Sequence, residues 1–71
     1  MSITDGAQRV RVDFNPSGLQ DVTDIKAKTA ELINKMDDFR KTGEQARCAS
    51  LAATKYEEAA MWAVKAATWK V

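Results

Sequence analysis

The chain has 71 residues, with 11 basic and 10 acidic side chains, no histidine and a single cysteine, and its formal net charge is +1. A domain of this size buries only about 60% of the surface that it exposes when unfolded, so its core alone is marginal. One cysteine and no histidine exclude an intrachain disulfide and the usual zinc sites, which leaves self-association as the expected further source of stability. The balanced charge argues against a long nucleic acid as ligand, because such binders carry a basic excess.

The sequence carries no signal for a membrane or for export. A bilayer span needs roughly 20 apolar residues in succession, and no segment provides them. The N-terminus lacks a basic-then-apolar secretory signal, and a lone cysteine fits a reducing compartment. We therefore expect a soluble cytoplasmic protein.

Residues 1–16 are predicted to form an extended N-terminal arm. From Arg9 to Phe14 the sequence alternates polar and apolar side chains, which is the period of a β-strand. No second strand is available to pair with it. The arm is therefore expected to lie on the helices, to pair with the arm of another subunit, or to become ordered when a ligand binds.

A first helix is predicted over about residues 18–41. Ser17 and Gln20 have the spacing of a capping box, Pro16 precedes them, and Gly43 is the natural stop. Mostly apolar side chains recur at alternating short intervals between these ends, which is typical of a helix that packs against other helices. These positions are Val22, Ile25, Thr29, Leu32, Met36 and Phe39.

A second, alanine-rich helix is predicted over about residues 44–69, because alanine has the highest helix propensity. Residues 17–71 would then form an antiparallel two-helix hairpin, and the fold class is all-α. The second helix has more large apolar side chains than one neighbouring helix can cover, so we expect a compact homo-oligomer. They are Leu51, Tyr56, Met61, Trp62, Val64 and Trp69.

The residue types leave few routes to catalysis. The acidic pairs are Asp37 with Asp38 and Glu57 with Glu58. Adjacent helical side chains point about 100° apart, so these carboxylates do not converge as an acid and base would. We expect a protein that is not an enzyme and that uses no metal and no cofactor.

Arg47, Ser50 and Thr54 recur at i, i+3 and i+7 on the second helix, which places one cation and two hydroxyls on one face. This combination suits a phosphate group. The alternatives are that Arg47 forms an ion pair with Glu44, and that the hydroxyls bond to carbonyl groups of the preceding turn.

Lys26 and Phe14 are further candidates for ligand binding. Lys26 lies at the edge of the apolar pattern of the first helix, from which its ammonium group can point into a groove or simply face solvent. Phe14, followed by Asn15, lies at the end of the arm, where its ring can cover a flat base or pack on the first helix.

With these residues in place, the sequence resembles the small helical-hairpin sponges of bacteriophages. These are the anti-CBASS proteins that sequester cyclic oligonucleotide signals, and their hairpin is shared with a Thoeris-inhibiting sponge. The resemblance covers roughly residues 15–68. Its motifs are Ile25-Lys26, Ala30-Glu31-Leu32-Ile33, Arg47, Ser50-Leu51-Ala52, Thr54, Glu57 and Glu58-Ala59-Ala60-Met61-Trp62-Ala63-Val64-Lys65-Ala66.

The resemblance implies a homo-oligomer, typically a hexamer, that acts in the cytoplasm of the bacterial host. It implies one kind of inter-subunit pocket for cyclic dinucleotides, another for cyclic trinucleotides, and no hydrolysis of either. By position, Lys26 corresponds to the lysine that meets a dinucleotide phosphate, and Phe14 is the candidate for the base-stacking aromatic. Arg47 and Thr54 correspond to the trinucleotide site, and Ser50 is added from its helical neighbourhood.

Two other functions remain open at the level of the sequence. The chain can be a small interaction module that binds a partner helix through its alanine and tryptophan face. It can also be a nucleic-acid-binding regulator that uses Arg9 and Arg11, although the balanced net charge speaks against this.

Overall fold

A computed structural model describes residues 3–69 of the chain. Within this range three α-helices follow one another, α1 over Asp5–Val10, α2 over Gln20–Lys35 and α3 over Gly43–Ala67, and a 3-10 helix over Met36–Phe39 directly follows α2. These described residues contain no strand, which confirms the all-helical fold class. No helix within them is long and apolar enough to cross a membrane.

The expectation of an extended N-terminal arm with a strand from Arg9 to Phe14 is wrong, because α1 covers Asp5–Val10 and a turn follows it. The Thr4 hydroxyl accepts a hydrogen bond from the Ala7 amide at 3.1 Å and so caps the first turn. A lone strand would leave its backbone groups unpaired, whereas a helix pairs them within the segment. Val10 still reaches the core, since it is only 7% exposed.

A close contact at Gly6 holds α1 against α2. The Gly6 amide donates a hydrogen bond to Asn34 Oδ1 at 2.7 Å. A Cβ atom on Gly6 would lie only 2.1 Å from the carbonyl oxygen of Ala30, so any larger residue would push the two helices apart. This contact directs the turn that follows α1 toward the first half of α2.

The predicted capping box at Ser17 and Gln20 does not form, because α2 begins at Gln20 with Leu19 as its N-cap. Gly18 has a φ of 70°, and this left-handed residue delays the start of the helix. The Ser17 hydroxyl accepts from the Leu19 amide at 3.3 Å and donates to Asn15 Oδ1 at 2.7 Å. The loop is therefore organised by Asn15 rather than by a helix cap.

The buried face of α2 differs from the predicted pattern. Val22, Lys26, Ala30 and Ile33 are buried, whereas Leu32, at 46% exposure, faces outward. The reason is that α2 contacts both α1 and α3, so small residues and one lysine take the closest positions. The α-helix also ends earlier than expected and is followed by the 3-10 helix. The acidic side chains of the 3-10 helix lie near the negative end of the α2 dipole, where negative charge is unfavourable.

Helix α3 packs through alanines. Ala49, Ala53 and Ala60 are its buried residues, and these short side chains allow a close approach to α2. The α-helix ends at Ala67, slightly before the expected residue 69, and the Thr68 hydroxyl donates to the Val64 carbonyl at 2.8 Å. The large exposed apolar side chains of α3 and of the segment that follows it are Leu51, Met61, Trp62 and Trp69.

Candidate ligand-binding groove

A groove opens where the turn after α1 meets the beginning of α2 and the end of α3. It has two sides that share Phe14, Lys26 and Val64 in their walls, and we call the two together the Phe14 groove. The loop side has a volume of about 560 Å³ and is completed by Asn15, Pro16, Ser17, Val22 and Thr68. The arginine side has a volume of about 400 Å³ and is completed by Arg9, Val10, Arg11, Glu57, Ala60 and Met61.

Lys26 lies at the base of this groove and is only 7% exposed. Its Nζ donates a hydrogen bond to the carbonyl oxygen of Arg11 at 3.1 Å and another to that of Phe14. Burial, and secondarily the charge of Arg11, lowers the pKa of Lys26 from its ordinary value. Because an ammonium group has three donors, one remains for a ligand while both carbonyls stay bonded.

Phe14 presents its ring at the mouth of the groove, with 51% of the residue exposed. The Cζ atom of Arg11 lies 4.1 Å from the ring centroid, and the Nζ atom of Lys26 lies 5.3 Å from it. Both distances are within the range of cation–π contacts. The groove therefore combines an accessible aromatic surface with two cations.

Asn15 lines the groove, but its side chain is engaged within its own loop. The amide nitrogen donates to the Leu19 carbonyl at 3.0 Å and to the Thr23 hydroxyl at 3.1 Å. The amide oxygen accepts from the Ser17 hydroxyl and from the Gly18 amide. This geometry makes Asn15 the residue that fixes the shape of the loop side.

The structure does not bring Arg47, Ser50 and Thr54 to the Phe14 groove. All three are exposed on α3, where Arg47 Nε donates to Glu44 at 2.9 Å and Thr54 donates to the Ser50 carbonyl at 3.1 Å. The hydrogen bond between the side chains of Arg47 and Glu44 raises the pKa of Arg47 and lowers the pKa of Glu44. For Arg47 and Thr54, these are the local contacts that the sequence left open as alternatives to a phosphate site.

Sequence reasoning did not place Arg11, Val64 or Thr68 at this site. Arg11 lies three residues before Phe14, but its contact with the ring depends on a left-handed backbone that arginine seldom adopts. Val64 and Thr68 lie at the C-terminal end of α3 and reach the groove only because of the way the helices pack. Among residues 3–69 there is no cluster of three or more potential metal ligands.

The groove thus brings an exposed aromatic ring and two cations together on a helical scaffold, an arrangement that is chemically suited to an anionic ligand with a flat ring. The family model of the Acb2/Tad1 hairpin domain matches residues 5–68. The chain therefore belongs to this family, the sponges that counter the CBASS and Thoeris defences, which confirms the resemblance found in the sequence. No curated protein and no solved structure matches the chain.

Proposed function

We propose that this protein binds cyclic dinucleotides in the Phe14 groove and sequesters them without cleavage, so that host immune effectors in the bacterial cytoplasm are not activated. Membership of the sponge family supports the general activity. The observation that carries the assignment to this groove is the half-exposed ring of Phe14, flanked by Arg11 and Lys26.

The chemistry of a cyclic dinucleotide fits these groups. Such a ligand has two bases and two phosphates in one compact ring, so it presents flat apolar faces close to negative charge. A base can stack on Phe14 while a phosphate accepts a hydrogen bond from Lys26. Asn15 supports this arrangement by holding the loop in shape through its own hydrogen bonds.

Sequestration by mass action requires binding and abundance rather than turnover. Glu57 is the carboxylate that lines the groove, and it lies 3.8 Å from the guanidinium group of Arg9. This ion pair engages the negative charge of Glu57 within the protein. The free signal would be held below the concentration that its effector needs, and the bound signal would be released intact.

A second site, for cyclic trinucleotides, is proposed at Arg47, Ser50 and Thr54. Its support is the exposed face of α3 that the three residues share, and we expect another subunit to complete the pocket. A phosphate there would compete with Glu44 for Arg47. Arg47→Gln is expected to weaken a cyclic trinucleotide at least tenfold and leave a cyclic dinucleotide unaffected in calorimetric titrations, whereas equal losses would argue against separate pockets.

Assembly as a homo-oligomer, with a hexamer of antiparallel hairpins as the specific form, completes the proposal. Its support is the set of large exposed apolar side chains on α3, which a second copy can cover. The competing use of this surface is to bind a partner helix, and Trp62 and Trp69, both exposed and both within 6 Å of the Lys65 ammonium, are the observation that favours it.

The test of sequestration is a titration of the purified protein with cyclic di-AMP and cyclic di-GMP, followed by heat release and chromatography of the ligand. Binding followed by recovery of the unaltered cyclic compound is expected. A linear dinucleotide of the same bases is the control and should bind more weakly. Recovery of a cleaved product would contradict the sponge mechanism, and absence of binding to any cyclic dinucleotide would leave the interaction module as the better account.

A further inference from the structure

We infer that Arg11 is the specificity-determining cation of the Phe14 groove: its guanidinium group covers the Phe14 ring and moves to a ligand phosphate when a nucleobase takes its place. This inference rests on the proposed binding of cyclic dinucleotides and assigns a role to a residue outside the expected ligand set. It is carried by the backbone of Arg11, by the contacts of its side chain and by the engagement of Lys26.

The backbone of Arg11 is fixed on both sides. Its amide donates to the Gln8 carbonyl at 3.2 Å, and its carbonyl accepts from the Phe14 amide at 2.8 Å and from Lys26 Nζ at 3.1 Å. With φ 54° and ψ 59°, Arg11 is the only residue other than glycine with a positive φ among residues 3–69. Glycine or asparagine adopts this conformation more easily, so an arginine here points to a use for its side chain.

The guanidinium group of Arg11 differs from those of the other arginines. Within the described residues, the remaining arginines each have carboxylate partners, and they are Arg9 with Asp5 and Glu57, Arg40 with Asp5 and Asp37, and Arg47 with Glu44. For Arg11 the structure instead gives a contact with the Phe14 ring, at 4.1 Å from Cζ to the centroid. Within residues 3–69, the guanidinium group of Arg11 forms no ion pair with a carboxylate that would compete with an anionic ligand for its N–H donors.

Lys26 cannot take this role alone. It is buried, and two of its three donors hold the carbonyls of Arg11 and Phe14, so it can give a phosphate one further hydrogen bond. An arginine can form two parallel bonds with one phosphate. Lys26 therefore positions the turn through its hydrogen bonds, and Arg11 makes the contact that can move from the Phe14 ring to a ligand phosphate.

This arrangement selects for phosphate close to a base. A base that stacks on the face of Phe14 covered by Arg11 must displace the guanidinium group. The cation–π contact is then lost, and hydrogen bonds from Arg11 to a nearby phosphate replace it. An uncharged nucleoside displaces the same group without such compensation. Arg11 is therefore expected to favour nucleotides over nucleosides as well as to strengthen binding.

The test compares wild type with Arg11→Asn, because asparagine tolerates the left-handed backbone and lacks the guanidinium group, together with most of the aliphatic stem that carries it. Lys35→Gln is the control for the loss of one positive charge, since Lys35 pairs with Asp38 on the surface and does not line the groove. Affinities for cyclic di-AMP, cyclic di-GMP and adenosine are measured over a range of salt concentrations, with thermal unfolding as the check on folding.

Arg11→Asn is expected to fold with an unchanged or higher melting temperature and to bind the cyclic dinucleotides at least tenfold more weakly. Its affinity should depend less steeply on salt concentration than that of wild type, because salt screens the ion pair that the variant has lost, and its affinity for adenosine should be unchanged or higher. Wild-type affinity and salt dependence in Arg11→Asn would overturn the inference alone. A weaker affinity with an unchanged salt dependence would also overturn it, because Arg11 would then act only through the turn.

Arg11→Lys is a second test of the same role, because lysine keeps the positive charge but lacks the planar guanidinium group. It should retain the salt dependence of wild type and recover only part of the affinity. A wild-type protein that binds neither cyclic dinucleotide would overturn the proposed function, and the role of Arg11 with it, which distinguishes that result from a failure of Arg11→Asn alone.

Discussion

Phe14 contributes a surface rather than a core contact, because 51% of the residue is exposed. Phe14→Leu should therefore change the free energy of unfolding by less than about 0.5 kcal/mol. Stacking of a base on an aromatic ring is worth about 1–3 kcal/mol, so the affinity for a cyclic dinucleotide should fall by roughly 5- to 150-fold. Calorimetric titration measures this loss, and Phe14→Tyr, which keeps the ring, should bind like wild type. Equal affinities of Phe14→Leu and wild type would remove the ring from the site.

Lys26 is a structural residue as well as a charge. Lys26→Met keeps most of the aliphatic stem but leaves the carbonyls of Arg11 and Phe14 without this donor, which is expected to cost about 1–3 kcal/mol of stability. Denaturant unfolding at a fixed protein concentration measures the difference. A variant as stable as wild type would show that these two hydrogen bonds contribute nothing.

The pH dependence of the same pair of proteins tests the environment of Lys26. Burial lowers the pKa of Lys26 in the folded protein below the ordinary value of 10.5. At pH values between this lowered pKa and 10.5, the unfolded chain therefore binds more protons than the folded protein. Stability of wild type relative to Lys26→Met should therefore rise as the pH increases toward 10.5. A constant or falling difference over this alkaline range would contradict the burial of a charged ammonium group.

At this scale, the sequence could indicate Phe14 and Lys26 but not how they are used. Their residue types and positions in the chain were visible, and the structure places both at one groove. The contact of Arg11 was not predictable, because it requires a left-handed arginine, which local propensity disfavours. The engagement of the Asn15 amide within its loop likewise depends on the φ of Gly18.

Among the elements, α1 is the one that positions the groove, and it depends on Gly6. Gly6→Ala would place a methyl group against the Ala30 carbonyl, so the helices must separate, and overpacking of this kind costs about 1–3 kcal/mol. We expect a lower melting temperature and a weaker affinity for a cyclic dinucleotide, because the Arg11–Phe14 turn moves with α1. Gln8→Ala, at an exposed position of the same helix, is the control and should be neutral or stabilising. Wild-type stability and affinity in Gly6→Ala would contradict the close packing of α1 on α2.

The elements differ in how far the sequence predicts them. α2 and α3 follow from apolar spacing and alanine content, which are local properties. α1 does not follow from local pattern, because residues 9–14 alternate as a strand does, whereas its helical state is supported by the Thr4 cap and by contacts of Gly6 with Ala30 and Asn34. The inward position of Lys26 on α2 has the same origin, since its partners belong to the turn after α1.

The whole molecule leaves an extended apolar surface on α3 exposed. Trp62 is 61% exposed and Met61 is 67% exposed, which is costly for an isolated subunit with so small a core. Light scattering should give a mass several times 7.8 kDa, with six subunits as the specific expectation. Trp62→Glu should lower the mass, whereas Lys55→Gln, at a solvated position, should not. A wild-type mass of 7.8 kDa would contradict self-association.

The central claim is that the folded protein holds a cyclic dinucleotide, and a thermal-shift measurement tests it most directly. A ligand at 100 times its dissociation constant stabilises the folded state by about 2.7 kcal/mol per site, a large effect for a chain of 71 residues. We predict a marked rise in melting temperature with at least one cyclic dinucleotide and a much smaller rise with the linear dinucleotide of the same bases. No rise with any cyclic compound, or an equal rise with the linear one, would contradict this account.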